Sequence, residues 1–340
     1  MTSWGNARQT PAVSVLLPFR DAGGTLGDAL RSLSGQSLRE FECLLIDNGS
    51  LDSSAALARQ VAARDARFRL LRADGGLVGA LNCGIEAARS PLIARMDADD
   101  LAHPARLARQ LEVLRADPSL SVLACLVECF PAAAVGEGLR RYVAWLNSLR
   151  TPAAIHAALF VESPIAHPSA VITRSALQAA GGYRDTGGPE DYDLWLRLLL
   201  HGHRAAKVPE VLLYWRDSPR RLSRVDPRYD RRRFFASKLT HFPSAVAAGT
   251  TLQICGAGRT GRSWARALRA RGYAVRRFID IAPQRWGRVI CGAPVHEPRA
   301  FQRHAGFVLV AAGARGARQS IEDWLHDCGL QPWADYLAVA

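Results

Sequence analysis

Short apolar runs alternate along this chain with stretches in which leucine recurs every third or fourth position, the pattern of buried strands interleaved with amphipathic helices. Ala12 to Phe19 reads as a strand stopped at Pro18, and Thr25 to Gln36 as a helix with Leu26, Leu30 and Leu33 on one face. Phe41 to Ile46 is a second strand, Leu51 to Asp65 a helix, Phe68 to Arg72 a strand and Gly79 to Arg89 a helix. The next apolar run, Pro91 to Asp100, is short enough for a buried strand and ends in three carboxylates within four residues. Strand, helix, strand in repetition predicts an α/β protein with a parallel sheet and crossover helices.

Further on, a helix runs from His103-Pro104 through Arg115, Leu120 to Phe130 reads as a strand, and Gly138 to Arg150 as a helix. His167 to Thr173 reads as a strand, followed by a short helix ending at Gly181-Gly182-Tyr183. Arg228 to Lys238 reads as a basic helix carrying Phe234 and Phe235. Its aromatics either pack between domains or rest on an anionic membrane leaflet. A last segment repeats the α/β pattern: Thr250 to Gly256 as a strand, a helix to Gly272, Val275 to Ile279, Phe307 to Ala311, and a helix over Ser320 to Asp327. The expected organisation is a flexible tail at 1–10, a first domain at 11–240, a linker at 241–249 and a second domain at 250–340.

Composition changes this picture little. With 49% hydrophobic residues the 340-residue chain is ordinary for a globular protein with room for two domains. No stretch approaches the ~20 apolar residues of a membrane span, and the first ten residues lack a signal-peptide core. Seven cysteines without Cys-x-x-Cys pairs fit a reducing compartment, so a cytoplasmic location is expected, open to peripheral association with the inner face of the membrane. The net charge of +13 is almost wholly arginine, Lys207 and Lys238 being the lysines. A basic surface favours anionic partners such as a nucleotide diphosphate or lipid phosphate, although codon composition alone would give the same skew. The arginines are dispersed without a helix-turn-helix, zinc-finger or RNP pattern, which weighs against nucleic acid.

Asp97 and Asp99 lie two residues apart, so in extended chain both side chains leave on one face and can converge on one object. Adjacent anions repel unless a cation lies between them, and hard carboxylate oxygens suit Mg²⁺ or Mn²⁺ with a bound phosphate. An acidic turn before a helix is the structural alternative. Asp47, at another strand end, can accept hydrogen bonds from a base or ribose or simply close an Asp-Asn-Gly turn. Asn82 lies inside a helix and faces either ligand or solvent. Pro189 fits a helix start, placing Glu190 and Asp191 in the first turn. Helix capping explains them, and so does removal of a proton from an acceptor hydroxyl. The helix lowers the Asp191 pKa, while Glu190, Asp193 and desolvation raise it.

Taken together these pieces resemble the family 2 glycosyltransferases, which have the GT-A fold. The matching stretches are Val13 to Pro18, Leu44 to Ser50, Leu81-Asn82-Cys83-Gly84, Ala94 to Asp100, Gly181-Gly182-Tyr183 and Glu190 to Arg197. They stand in the expected order over about residues 11 to 235. The resemblance implies an inverting transfer from a nucleotide-diphosphate sugar, most readily a UDP-sugar, to a saccharide or lipid-linked acceptor in bacterial polysaccharide or glycolipid synthesis. It places Pro18, Phe19, Asp47, Asn82, Arg95, Asp97, Asp99 and Glu190 at the donor, Asp97 and Asp99 at a divalent metal, and Asp191 as general base. Two departures stand out. Arg20 and Asp21 occupy positions where the family often has tyrosine and asparagine. The loop read at Tyr214 to Ser223 has no histidine, so Arg216, Arg220 and Arg221 either clamp a diphosphate in its place or form a solvated basic loop.

The C-terminal segment carries Gly256-x-Gly258-x-x-Gly261 after a strand and before a helix, with Asp280 at the end of the next strand, as in a small Rossmann-like domain. These four residues form a candidate second nucleotide site. Assembly into oligomers and regulation are the alternative roles for this domain. The rival reading of the whole chain is a non-catalytic sugar-nucleotide-binding or regulatory subunit working through it.

Overall fold

The computed structural model describes residues 10–219, 221–314 and 316–340. Most of the expected tail and Arg220 lie outside the described residues. The chain divides into two compact units, one up to Ile155 with Pro164–Arg233, the other His156–Ser163 with Phe234–Ala340.

The elements up to the first crossover helices are β1 (Val13–Phe19), α1 (Leu26–Ser34), β2 (Phe41–Asp47), α2 (Ser54–Arg64), β3 (Phe68–Arg72), α3 (Gly76–Ala87) and β4 (Leu92–Arg95). There follow β5 (Leu101–Ala102), α4 (Arg106–Ala116), β6 (Leu120–Phe130), α5 (Glu137–Ser148), α6 (Pro152–Ala157), β7 (Val171–Thr173) and α7 (Arg174–Ala179). Next come α8 (Glu190–Leu200), β8 (Arg204–Arg216), α9 (Leu222–Val225) and α10 (Arg231–Ala245). The first unit holds an eight-stranded mixed sheet in the order β3-β2-β1-β4-β7-β6-β8-β5. β1 pairs in parallel with both β2 and β4, so the strand order reverses there. Such a reversal leaves a crevice beyond the carboxyl ends of the two strands, where ligands of open α/β sheets bind. The β1–β4 ladder stops at Leu16 and Arg95, two residues short of Pro18, which has no N–H to give.

Tight packing fixes this end of the sheet. β1 is buried throughout. In α3, a Cβ on Gly84 would come within 2.6 Å of Ile46 Cδ1 and 2.9 Å of Leu16 Cδ2, so glycine alone lets the helix lie this close to β1 and β2. Below them Glu42 is buried at 1% exposure. Burial pushes its carboxyl up, but bonds from Ser14, the Arg89 backbone, Arg69 and Arg89 outweigh it and hold the pKa below the usual value.

Three expectations change. Residues 167–169 form a 3₁₀ turn before β7, because Pro168 offers no ladder donor and Ser169 and Ala170 donate back to Ala166 and His167. Tyr214 to Arg216 belong to β8 rather than to a loop, pairing with Glu128 to Phe130 and, at Tyr214, with Leu101. His241 to Ala245, expected in a linker, continue α10.

The second unit contains β9 (Thr251–Cys255), α11 (Arg259–Arg269), β10 (Ala274–Ile279), β11 (Val289–Ile290), β12 (Ala293–His296), β13 (Phe307–Val310), α12 (Ala317–Asp327) and β14 (Tyr336–Ala338). Its six-stranded sheet runs β11-β12-β10-β9-β13-β14, parallel except for β11. Here too the order reverses, at β9.

Candidate active site

The crevice at the β1–β4 reversal is a cleft of about 770 Å³. Pro18 and Phe19 enter it from the end of β1, Arg95, Asp97 and Asp99 from the end of β4, Arg216 from the end of β8, and Asp226 and Arg228 from the chain after it. The acidic turn after β4 is short because Asp97 O accepts a bond from Asp100 N. One carboxylate oxygen from each of Asp97, Asp99 and Asp100 lies within 4.8 Å of the others. Arg95 is buried beneath them; its Nη2 donates to Asp97 Oδ1 at 2.6 Å and its Nη1 to the Met96 carbonyl. Arg106, also buried, donates to Arg95 O at 2.8 Å and lies 3.4 Å from Met96 Sδ. Met96 N in turn donates to Leu16 O, which ties the acidic turn to β1.

Carboxylates packed this way raise one another. Burial first, then Asp97, pushes Asp99 up to about 6, and Asp100 is raised by burial and by both neighbours. Asp100 Oδ1 accepts from Arg216 N at 2.8 Å, while its buried Oδ2 has no hydrogen-bond partner. Three converging hard oxygen donors, an orphaned buried oxygen and like-charge repulsion fit a divalent cation.

Asp191 is half-buried at the first turn of α8, its Oδ1 accepting from Tyr192 N at 2.7 Å. Desolvation, then Glu190 and more weakly Asp97, push its carboxyl up to about 8, so the helix start loses the contest posed by the sequence. Asp191 therefore lies within the field of the acidic turn although it does not line the cleft. Glu190 is 2% exposed and accepts from Tyr229 Oη at 2.7 Å.

The remaining expected residues take other places. Asp47 Oδ1 accepts from Ser50 N at 2.9 Å and closes the turn after β2, so that Asn48 rather than Asp47 lines the cleft. Asn82 donates to Tyr183 O and accepts from Tyr183 N, both at 2.9 Å. Its amide is occupied in joining α3 to the Gly181-Gly182 turn, where a Cβ on Gly182 would be 2.7 Å from Asn82 Oδ1. Arg216 donates from Nε to Asp99 O at 2.6 Å and from Nη2 to Asp28 at 3.3 Å, and its guanidinium stacks on Phe130. It braces the acidic turn as well as facing the cleft. Arg221 lies over Trp215, 3.7 Å from the ring centre. Sequence reasoning missed Asp100, Asp28, Arg228 and Tyr229. The signal for the last two was the Asp226-Pro-Arg-Tyr-Asp230 stretch, dense in side chains that close turns onto a site.

Residues 14–181 match Glycosyl transferase family 2. The chain is 30% identical over 208 residues to the putative glycosyltransferase EpsE of Bacillus subtilis (strain 168), covering 59% of this chain and 72% of that one. It is equally 30% identical over 207 residues to the amylovoran biosynthesis glycosyltransferase AmsE of Erwinia amylovora, covering 59% and 74%. Among solved structures it is similar to S. aureus TarS 1-349 in complex with UDP-GlcNAc, with a TM-score of 0.55 at 15% identity over 69% of this chain and 67% of that one. The mannosyltransferase PcManGT from Pyrobaculum calidifontis, in complex with GDP-Man and Mn²⁺, gives a TM-score of 0.53 at 22% identity, covering 71% and 66%. At such identities the structural likeness speaks for the fold, which is GT-A. With a family match over residues 14–181 and relatives of 30% identity covered over 72% and 74% of their length, the chain belongs to glycosyltransferase family 2 and is a glycosyltransferase.

Proposed function

We propose that the cleft transfers a sugar from a nucleoside diphosphate sugar, most readily a UDP-sugar, to an acceptor hydroxyl with inversion at the anomeric carbon. The setting is synthesis of a bacterial surface or secreted polysaccharide or glycolipid. The observation that carries this reading is the meeting of Asp97, Asp99 and Asp100 with Arg216 and Arg228 at the crevice between β1 and β4. The relatives support it: AmsE is named for amylovoran biosynthesis, and a relative from Escherichia coli, 26% identical over 213 residues, is a UDP-Gal:alpha-D-GlcNAc-diphosphoundecaprenol beta-1,3-galactosyltransferase.

Asp97 and Asp99, with Asp100 adjoining, would hold Mn²⁺ or Mg²⁺, whose positive charge offsets that building on a departing diphosphate. The chain's own groups do the rest. Arg95 fixes the Asp97 carboxylate, Arg216 fixes the Asp99–Asp100 turn, and Arg228 lines the cleft with its guanidinium paired to Asp226. Asp191 accepts the acceptor hydroxyl proton as that oxygen bonds to the anomeric carbon. The bond from that carbon to the diphosphate breaks on the opposite side, and the nucleoside diphosphate leaves. A carboxyl with a pKa near the working pH suits such a transfer. A lipid-linked acceptor would bring the protein to the inner face of the membrane, and among the described residues no helix is long and apolar enough to cross it.

The test is UDP release from UDP-sugars with Mn²⁺. Asp99→Ala abolishes it, and Asp191→Asn slows it by about 10²- to 10⁴-fold, the range of general-base contributions. Tight UDP binding by the wild type without turnover over any acceptor would instead make the chain a non-catalytic binding subunit.

A further inference from the structure

The second unit carries a cavity of about 940 Å³ at its own reversal point, between the ends of β9, β10 and β13. Nothing in the transfer reaction uses it. Two eleven-residue helices open onto it by their N-termini, α11 through Gly258, Arg259 and Thr260, and α12 through Gly316 and Ala317. Neither N-terminus is capped by a side chain. The first N–H groups of a helix are unsatisfied and carry its positive end, so two of them facing one space favour an anion. Exposed Arg259 at the cavity adds to that field, whereas Arg285, also in the lining, is paired with Asp280.

The glycines of the loop do different jobs. A Cβ on Gly261 would come within 1.8 Å of Gly256 O, and Gly256 has φ +106°, so both are required by the close turn from β9 into α11. Gly258 has φ −73° and a Cβ there would meet nothing within 4 Å. Neither backbone nor packing requires glycine at that position, and its bareness leaves the mouth of α11 open. The lining also has an apolar part, Ile281 after β10 and Ile321 and Trp324 of α12, with Ile281 78% exposed. Asp280, which the sequence offered as a ribose-binding acid, lines the cavity with its carboxylate already engaged. Its carboxylate accepts from Ala257 N at 2.6 Å, Ala282 N at 2.8 Å and Arg285 Nη1 at 2.8 Å, clasping the glycine loop. With that acid occupied, the cavity holds no free carboxylate to grip a ribose diol.

From this geometry we infer a second ligand site in the C-terminal unit, taking a nucleoside phosphate by its phosphate at the two helix N-termini and by its base on Ile281, Ile321 and Trp324. The site binds rather than transforms, since its one acid is consumed in holding the loop. The size agrees, lying within the ~300–1,000 Å³ of small-molecule sites.

The test is calorimetry on the full chain carrying Asp99→Ala, in EDTA so that the transferase cleft contributes no metal-dependent binding, with UDP, ADP, NADH and inorganic phosphate as probes. One nucleotide binds with about one equivalent per chain, and phosphate competes at higher concentration. Gly258→Asp places a carboxylate at the open helix start; it leaves the melting temperature equal or higher, because aspartate is a good N-cap, and weakens nucleotide binding at least tenfold. Exposed Arg259→Glu weakens it similarly. The inference is overturned if no probe binds at millimolar concentration, if Gly258→Asp binds as tightly as its parent, or if phosphate alone binds as well as every nucleotide.

Discussion

Under the proposed mechanism Asp191 is held between two demands: to be ionised when it takes a proton, and to lie in a partly desolvated spot beside Glu190. The consequence for stability has a definite sign. Unfolded, the carboxyl releases its proton near the ordinary aspartate value; folded, it keeps the proton up to about 8. Between those limits folding takes up a proton, so this group's contribution to stability falls as pH rises through the window and levels off above it. Asp191→Asn cannot ionise and escapes the loss. Its urea midpoint therefore exceeds that of the wild type by more at about pH 8.5 than at about pH 5. A difference that does not change with pH would remove the raised pKa from the account. The pair Asp97 and Asp99 was legible in the sequence because two alternate residues at a strand end must share a face. Arg216 was readable only as a candidate diphosphate clamp; its bracing of the acidic turn was not, because its partners Asp99 and Asp100 lie more than a hundred residues away and only β8 brings it back to them.

At the scale of elements, the parallel half of the first sheet was readable because each strand and helix there keeps a single period. β8 was not, and the ladder shows why. Its register with β6 jumps from Cys125↔Val208 to Leu126↔Val211, leaving Pro209 and Glu210 in a bulge that breaks the alternation. Helix α3 gives the sharpest prediction at this scale. Gly84→Val forces a branched side chain onto Leu16 and Ile46, which are also the floor beneath the cleft. A loss of about 2–4 kcal/mol is expected from overpacking, measured by urea unfolding, with donor affinity falling alongside. The buried Glu42 cluster makes a second one. Glu42→Ala leaves Arg69 and Arg89, each more than a third exposed, to water, and strips the Ser14 hydroxyl and the Arg89 N–H of their acceptor, so a loss of about 1–3 kcal/mol follows from the buried groups left unpaired. A change near zero would mean that water replaces the carboxylate at both groups.

Across the two sheets, the order of parallel strands reverses at β1 and at β9, and each of these points carries a cavity, which is the rule for open α/β sheets applied twice. The GT-A motifs announced the first. The second was half announced: its glycines were visible, but the closing of Asp280 onto the loop depends on three donors no spacing reveals. The arginine excess also acts at this scale. With a net charge of +13, association with an anionic donor is steered by long-range attraction, so kcat/KM falls as salt rises from about 20 to 300 mM while kcat holds steady. Finally, the chain has two methionines, and the internal one, Met96, is buried between Arg106 and β1 directly beneath the acidic turn. Isotopic labelling of methionine methyl groups thus yields a simple spectrum in which Met96 is the buried methionine among the described residues. Its chemical shift reports, without any engineered probe, whether a donor and cation have arrived overhead.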